Sequence, residues 1–386
     1  VPREHCPICD SRSPERILYR QAVPVHQNLP LDTAEGARRI RRGDLDIRAC
    51  PVCGFVFNAE FDPSLLDYGP EYENSQNHSP AFSAHMDALV ARLIGDGCGR
   101  TGTVVEAGCG KGAFLLRLCG HPEATCRGLG YDPAYVGPES ALGGRVRFVK
   151  SFYGPSTAEP ADAVVCRHVI EHIAEPLDLL RTFRSAAPAA TARLYLETPC
   201  ADWIIDNAVP WDFFYEHCSL FSRSSLSTAL RRAGFGVRSV SHLFGGQYLW
   251  GEGGGAPTAQ PAAPPEGFIA RARALGRADT ERRAAWDALL DAAGSRGAVY
   301  AWGAGAKGVT FCNLADPTAD RLRGVIDVNP AKQGRYVPGT GHPILPPTAA
   351  GGAAAVLVFN PNYLNEIRST VSAFSPGTVV LDAMEA

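Results

Sequence analysis

The sequence predicts an α/β protein built on a doubly wound, mostly parallel sheet, with a small cysteine-bearing module before it and a second α/β unit after it. Three observations predict this. Val104-Val105 runs into Glu106-Ala107-Gly108-Cys109-Gly110-Lys111-Gly112, then into apolar positions 114, 115 and 118 at helical spacing, and Tyr131-Asp132 follows the next apolar run. Two Cys-Pro-x-Cys pairs stand at 6–9 and 50–53. A second glycine-rich turn at 303–308 follows Val299-Tyr300-Ala301-Trp302, beyond a stretch rich in Gly, Ala and Pro.

At 386 residues the chain exceeds one ordinary core, so two or three domains are expected. Hydrophobic residues make up 45% and charged residues 20%, the net charge is −3, and nothing in the charge pattern points to nucleic acid. No apolar stretch reaches the roughly 18 residues of a membrane span. The N-terminus Val1-Pro2-Arg3-Glu4-His5 lacks a signal-peptide pattern, so a cytoplasmic protein without a membrane partner is expected. Of twelve cysteines, eight (98, 109, 119, 126, 166, 200, 218 and 312) are scattered and suit small buried hydrophobes rather than a disulfide framework.

The other four open the chain, in a module expected over 1–75. In Cys6-Pro7-Ile8-Cys9 and Cys50-Pro51-Val52-Cys53-Gly54, two residues between thiolates let one turn aim both sulfurs at a point. Two such knuckles make a tetrahedral Zn²⁺ site; with all four positions taken by sulfur, no place is left for water, and the metal is structural. A redox CxxC is the rival reading. Residues 17–30 and Arg38-Arg39-Ile40-Arg41-Arg42 form the insertion between the knuckles, and this charge run suits a solvated face.

The central domain is expected over 76–250. Residues 82–94 have helical periodicity and lead into the strand at Val104. The glycines let the backbone turn sharply and approach a ligand. Asp132, at the end of the strand Gly128-Leu129-Gly130-Tyr131, stands where a carboxylate accepts hydrogen bonds from ribose hydroxyls. Gly108, Gly110 and Gly112 fall as G-x-G-x-G behind Glu106, not as the G-x-G-x-x-G of dinucleotide enzymes. In this the chain resembles class I methyltransferases that bind S-adenosylmethionine, whose cationic methionine end Glu106 would favour directly or through water.

Methyl transfer is an in-line displacement on an activated electrophile, so the protein must position a nucleophile and often supply a base. Two clusters near strand ends qualify. His168-Val169-Ile170-Glu171-His172 follows the fourth strand (160–168), and Trp211-Asp212-Phe213-Phe214-Tyr215-Glu216-His217 follows the fifth (193–198). His217 is the expected general base, oriented by Glu216 or Tyr215, while His172 binds the acceptor or stabilises developing negative charge. The first cluster also matches H-x-x-E-H, the inverted zinc-protease signature. Here it begins at a strand end with Pro176 close behind, so a hydrolase is not expected. Helices are expected over 177–183 and 224–233.

Residues 251–267 are a linker by composition, and 268–386 a C-terminal α/β domain opened by a helix near 268–294. Gly303, Gly305 and Gly308 form a true G-x-G-x-x-G with Asp327 near the expected distance. That turn suits a nicotinamide cofactor, another phosphate, or the packing of a helix on a strand; Lys307 within it suits a diphosphate.

Together these features resemble the three-part sugar C-methyltransferases of deoxysugar antibiotic pathways. The likeness is carried by the zinc knuckles, Tyr72-x-x-Ser75-Gln76, the glycine motif at 106–132, Glu216-His217, Phe244-Gly245-Gly246-Gln247-Tyr248, the turn at 301–308, Asn329-Pro330-x-Lys332-Gln333-Gly334 and Asn360-Pro361-Asn362-Tyr363. The resemblance implies a class I methyltransferase sheet flanked by the zinc module and a Rossmann-like C-terminal domain. It also implies a nucleotide-linked keto-sugar acceptor and an enolate made by His217, with Tyr72 and His172 lining the acceptor and Ser75, Gln76 and His168 on the cofactor side. Two positions depart: Phe214 stands where sugar-acting members have Tyr, and His168 where they have Asn. An O- or N-methyltransferase on another small acceptor would alter these same residues. A non-catalytic nucleotide-sugar-binding module is the remaining alternative.

Overall fold

The computed structural model describes residues 2–69, 71–188, 190–257 and 263–385. The N-terminal part contributes β1 (Glu15–Pro24), α1 (Ala34–Arg38), β2 (Arg42–Ala49) and β3 (Val56–Asn58). The central part holds α2 (Pro80–Gly95), β4 (Thr103–Ala107), α3 (Ala113–Cys119), β5 (Arg127–Tyr131), β6 (Ser140–Ala141), β7 (Val146–Val149), β8 (Ala163–Arg167), α4 (Pro176–Ala186), β9 (Arg193–Pro199), α5 (Ala201–Asp206), β10 (Ser219–Leu220), α6 (Arg223–Arg232), β11 (Val237–Leu243) and β12 (Tyr248–Gly254). The C-terminal part has α7 (Phe268–Gly294), β13 (Val299–Trp302), α8 (Ala306–Ala315), β14 (Val325–Ile326), β15 (Ile344–Leu345), β16 (Ala355–Val358), α9 (Leu364–Phe374) and β17 (Val379–Asp382).

Strands order as β11-β12-β9-β8-β4-β5-β7-β6 in the central sheet, parallel from β9 to β7 with antiparallel edges. Val104, Val105, Val164 and Val165 are buried because helices cover both faces, as continuous β-branched runs require. The chain leaves β4 toward β5 and later returns on its other side at β8, so a switch point opens between the carboxyl ends of β4 and β8. The C-terminal sheet, β15-β14-β13-β16-β17, is wholly parallel and has its own switch point between β13 and β16.

Three sequence expectations are corrected. The domain boundary at 75 is crossed, because β10 of the central part completes the N-terminal sheet β1-β2-β3-β10. The linker expected from 251 begins as strand: Gly251 to Gly254 pair with β9 and Gly251 and Gly253 with β11, and side chains at 251 and 253 would crowd Leu226 and Phe235. Residues 258–262 of that linker lie outside the described residues. The charge run is not simply solvated, since the Arg38 and Arg42 guanidinium groups donate to the Thr340 and Gly339 carbonyls at 3.1 and 2.9 Å.

Helix α7 ties the parts together. Its buried positions 268, 272, 275, 279, 286, 290 and 293 recur at helical spacing. A Cβ at Gly276 would collide with the Ile17 carbonyl, so only glycine lets α7 lie this close to β1. Arg20 of β1 meets Asp279 at 2.5 Å and also donates to the Pro210 and Phe213 carbonyls, fixing the loop that leads to His217.

Candidate active site

The first glycine turn divides its work. All three glycines have positive φ (75°, 54° and 79°), a region costly for side-chain-bearing residues. A Cβ at Gly108 would collide with Val169 and one at Gly112 with Phe148, whereas one at Gly110 would meet open space. Of the three, Gly110 alone therefore faces open space, and the other two are packing requirements. Asp132 lies against this turn: its Oδ2 accepts the Gly110 N–H at 2.9 Å and its Oδ1 the Ala134 N–H at 2.8 Å. Burial raises its carboxyl above the usual range, opposed by those two bonds.

Glu106 is 2% exposed beneath the turn, not an open surface acid. Burial pushes its carboxyl up to about 8, against the pull of Arg167 and the Leu115 N–H. Its Oε2 has no hydrogen-bond partner among the described residues.

A cavity of about 280 Å³ lies between the end of β8 and the carboxyl ends of β13 and β16; the first glycine turn and Asp132 are not among its lining residues. His168, His172 and His217 line one side; Trp302, Gly303, Gly305, Asp327 and Lys332 line the other. Tyr72, Ser75 and Gln76 also border it. Gln76 Oε1 accepts the Tyr363 hydroxyl at 2.6 Å, and the Ser75 N–H donates to Glu73 at 3.1 Å. Glu73 in turn pairs with Lys111 of the glycine turn, so this segment bridges the cavity and the turn.

His168 leaves β8 with φ 53°. Its ring sits 3.5 Å from Glu171 and 3.4 Å from Glu197. Burial depresses its pKa, but the Glu197 and Glu171 carboxylates outweigh this and raise it to about 9. Arg167 and His85 also grip Glu197, which is held well below the usual carboxylate range despite burial. His172 Nδ1 lies 3.0 Å from the Tyr68 hydroxyl. The rings of His172 and His217 meet edge to face at 4.8 Å, and Phe214 packs 4.0 Å from His217. Burial, then the nearby charges of His172, His168 and Lys307, keeps the His217 imidazole well below its usual range.

The partners expected for His217 are elsewhere. Glu216 is fully buried, accepting the Gln27 N–H at 2.8 Å and standing 3.3 Å from His26 Nδ1. The Tyr215 hydroxyl accepts the Asp62 N–H at 2.9 Å. A tight turn over 214–217, closed by the His217 N–H to the Phe214 carbonyl at 3.2 Å, explains the correction: its two ends, Phe214 and His217, come together at the cavity while its central residues, Tyr215 and Glu216, lock the loop to the N-terminal part. Tyr72 stays on the cavity, its phenol 3.4 Å from the Asn28 amide and its pKa raised first by burial, then by Glu216. Sequence reasoning missed Tyr68, although its place in a Tyr-rich segment before Tyr72 was a usable signal.

The second glycine turn is largely self-satisfied. A Cβ at Gly308 would collide with the Gly303 carbonyl, so this glycine packs α8 on β13. Asp327 accepts the Ala304 and Asn329 N–H groups at 2.7 and 2.8 Å. Lys307 is paired with Asp212 and stands 5.2 Å above the Trp203 ring, so its charge is already engaged.

In the N-terminal part, the sulfurs of Cys6, Cys9, Cys50 and Cys53 all lie within 4.8 Å of one another, with Cys6–Cys53 at 3.6 Å and Cys9–Cys50 at 3.5 Å. Four sulfurs about 2.3 Å from a central ion stand about this far apart, so the set fits tetrahedral zinc.

Residues 80–240 match the model of a methyltransferase domain, and residues 274–379 match that of a C-methyltransferase C-terminal domain. The glycine turn, the acid after β5 and these matches define an S-adenosylmethionine-dependent methyltransferase with a class I fold. More particularly, it is one whose methyltransferase core is joined to a C-methyltransferase C-terminal domain. No curated protein matches the chain. Among solved structures, magnesium protoporphyrin IX methyltransferase from Synechocystis PCC 6803 shares 19% identity over 46% of this chain and 84% of its own, with a TM-score of 0.36. The 1,6-didemethyltoxoflavin-N1-methyltransferase of Burkholderia thailandensis shares 18% over 47% and 80%, also at 0.36. Among the described residues no helix is long and apolar enough to cross a membrane.

Proposed function

We propose that the protein C-methylates a nucleotide-linked keto-sugar. The observation that carries this reading is the single cavity running from the imidazoles of His172 and His217 to the second glycine turn. An elongated acceptor fits it, with the sugar at the imidazoles and the nucleotide against the C-terminal domain. His217 takes the proton from the carbon next to the carbonyl. His172, steadied by Tyr68, donates to the enolate oxygen, and Tyr72 flanks the ring. The enolate carbon then attacks the methyl of S-adenosylmethionine; the carbon–sulfur bond breaks with its electrons going to sulfur, leaving S-adenosylhomocysteine.

The methyl donor sits over Gly110, with its ribose hydroxyls on the remaining lone pairs of Asp132. Its cationic end reaches the unpartnered oxygen of Glu106. The four cysteines hold a structural zinc that takes no part in the reaction.

Solvent deuterium tests the enolate. With a nucleotide keto-sugar, deuterium enters the carbon beside the carbonyl without turnover of the methyl donor; absence of exchange refutes the mechanism. An O-methyltransferase is the second reading, favoured by Phe214 at a place where sugar-acting relatives carry a phenol. It predicts labelled methyl on a hydroxyl and no exchange. The non-catalytic alternative fails if calorimetry shows S-adenosylhomocysteine binding.

A further inference from the structure

We infer that Glu171, His172 and His217 form a second metal site, which takes a divalent cation of the zinc class and, by doing so, shuts the enzyme off. One ligand atom from each residue lies within 4.8 Å of the others. Two imidazoles and one carboxylate suit zinc or cobalt and disfavour magnesium or calcium, which take oxygen ligands. Three protein ligands leave a fourth position open toward the cavity, unlike the closed cysteine site.

The surroundings are built as outer shells of metal sites are. Glu171 is fully buried; its Oε2 accepts the Thr198 hydroxyl at 3.0 Å, while its Oε1 has no hydrogen-bond partner among the described residues. His172 Nδ1 faces the Tyr68 hydroxyl at 3.0 Å; in the tautomer whose Nδ1–H donates to that oxygen, the opposite of the one that donates to an enolate, Nε2 offers a lone pair. A buried carboxylate oxygen without a partner is costly and calls for a cation or a donor. His168 Nδ1 stands 3.5 Å from that oxygen as an ion-pair partner shared with Glu197; this is too long for a good hydrogen bond, so the oxygen keeps lone pairs for a bound ion.

The inhibitory consequence rests on the reading of His217 as base: a bound ion takes the lone pair that would accept the proton and occupies the space of the acceptor carbonyl. Binding itself does not depend on that reading.

The test titrates Co²⁺ into the metal-stripped full chain and follows its absorption. The first equivalent shows the intense thiolate-to-metal band of the cysteine site. A second, weak and nitrogen- and oxygen-ligated, is expected in the wild type and lost in Glu171→Gln, with the thiolate band and S-adenosylhomocysteine binding kept as proof of folding. Thr198→Val, which leaves all three ligands in place, weakens the second site about tenfold. Zn²⁺ beyond the first equivalent inhibits methyl transfer and excess acceptor relieves it. One equivalent in the wild type overturns the proposal, as does a second equivalent that survives in Glu171→Gln. Unchanged turnover in His217→Asn would sink the base reading while leaving the wild-type metal count standing, so the two failures are distinguishable.

Discussion

Replacing Glu106 by Gln should stabilise the cofactor-free protein while weakening its grip on the methyl donor. The folded carboxyl is raised from 4.5 to about 8 by burial. A raised acid favours folding fully only below its unfolded pKa, and that contribution drains away as pH climbs toward the folded value. At pH 7 the folded chain holds a proton that the unfolded chain has released, over a gap of about 2.5 pH units. At about 1.4 kcal/mol per unit this is a ceiling of about 3.5 kcal/mol. The amide introduced by the substitution inherits an unpartnered site, which returns about 1 kcal/mol or more. The net expectation at pH 7 is a gain of about 2 kcal/mol for Glu106→Gln, growing toward pH 8 and reaching zero at about pH 5, where the two contributions cancel. Urea melts of both proteins between pH 5 and 8 measure it. Calorimetry with S-adenosylhomocysteine should show wild-type affinity rising with pH as the ligand's ammonium draws out the proton, and a weaker, flatter profile in the variant. A wild-type stability curve that stays level from pH 5 to 8, with Glu106→Gln the less stable protein throughout, would refute the argument.

His217→Asn should lower turnover by about 10²–10⁴ while leaving S-adenosylhomocysteine affinity within error, as read by steady-state kinetics and calorimetry. The two kinds of glycine in the first turn should part company: Gly112→Ala, driven into Phe148 at φ 79°, costs about 2–4 kcal/mol in melts. Gly110→Ala meets open space, costs about 1–2 kcal/mol for its positive φ, and its larger effect is on donor binding. In the C-terminal domain, Asp316 meets the buried His342 at 2.9 Å and accepts three backbone N–H groups, and its carboxyl is lowered from 3.8 to about 2 despite burial. A depressed acid stabilises above its unfolded pKa and loses that contribution as pH falls through the folded one, so about 2 kcal/mol should disappear between pH 4 and 2 and be absent in Asp316→Asn.

Much of the architecture was legible because it is written in local pattern. The β-branched runs at 104–105 and 164–165, the glycine turns and the cysteine knuckles each report on a few adjacent residues. The direction of Glu216 and Tyr215 was not legible, since it depends on a turn whose central residues pack against residues 26–27 and 60–62. Nor could sequence show that Gly108 and Gly112 are packing residues and Gly110 the open one; that follows from Val169 and Phe148, remote in the chain. Lys307 looked free for an anionic group because its partner Asp212 lies 95 residues away. Pattern located the imidazoles, whereas tertiary neighbours decide what holds them.

Strand β10 begins two residues after His217 and pairs with β3, while the Cys218 carbonyl accepts the Asn58 N–H at 3.0 Å. Any chimaera that swaps the first 75 residues for a foreign segment would strip a strand's partner from beside His217 and unmoor its loop. Acceptor preference in this enzyme is therefore not transplantable by cutting at the apparent boundary. Exchange of function between relatives must carry the cysteine-bearing sheet and the histidine loop as one inherited piece.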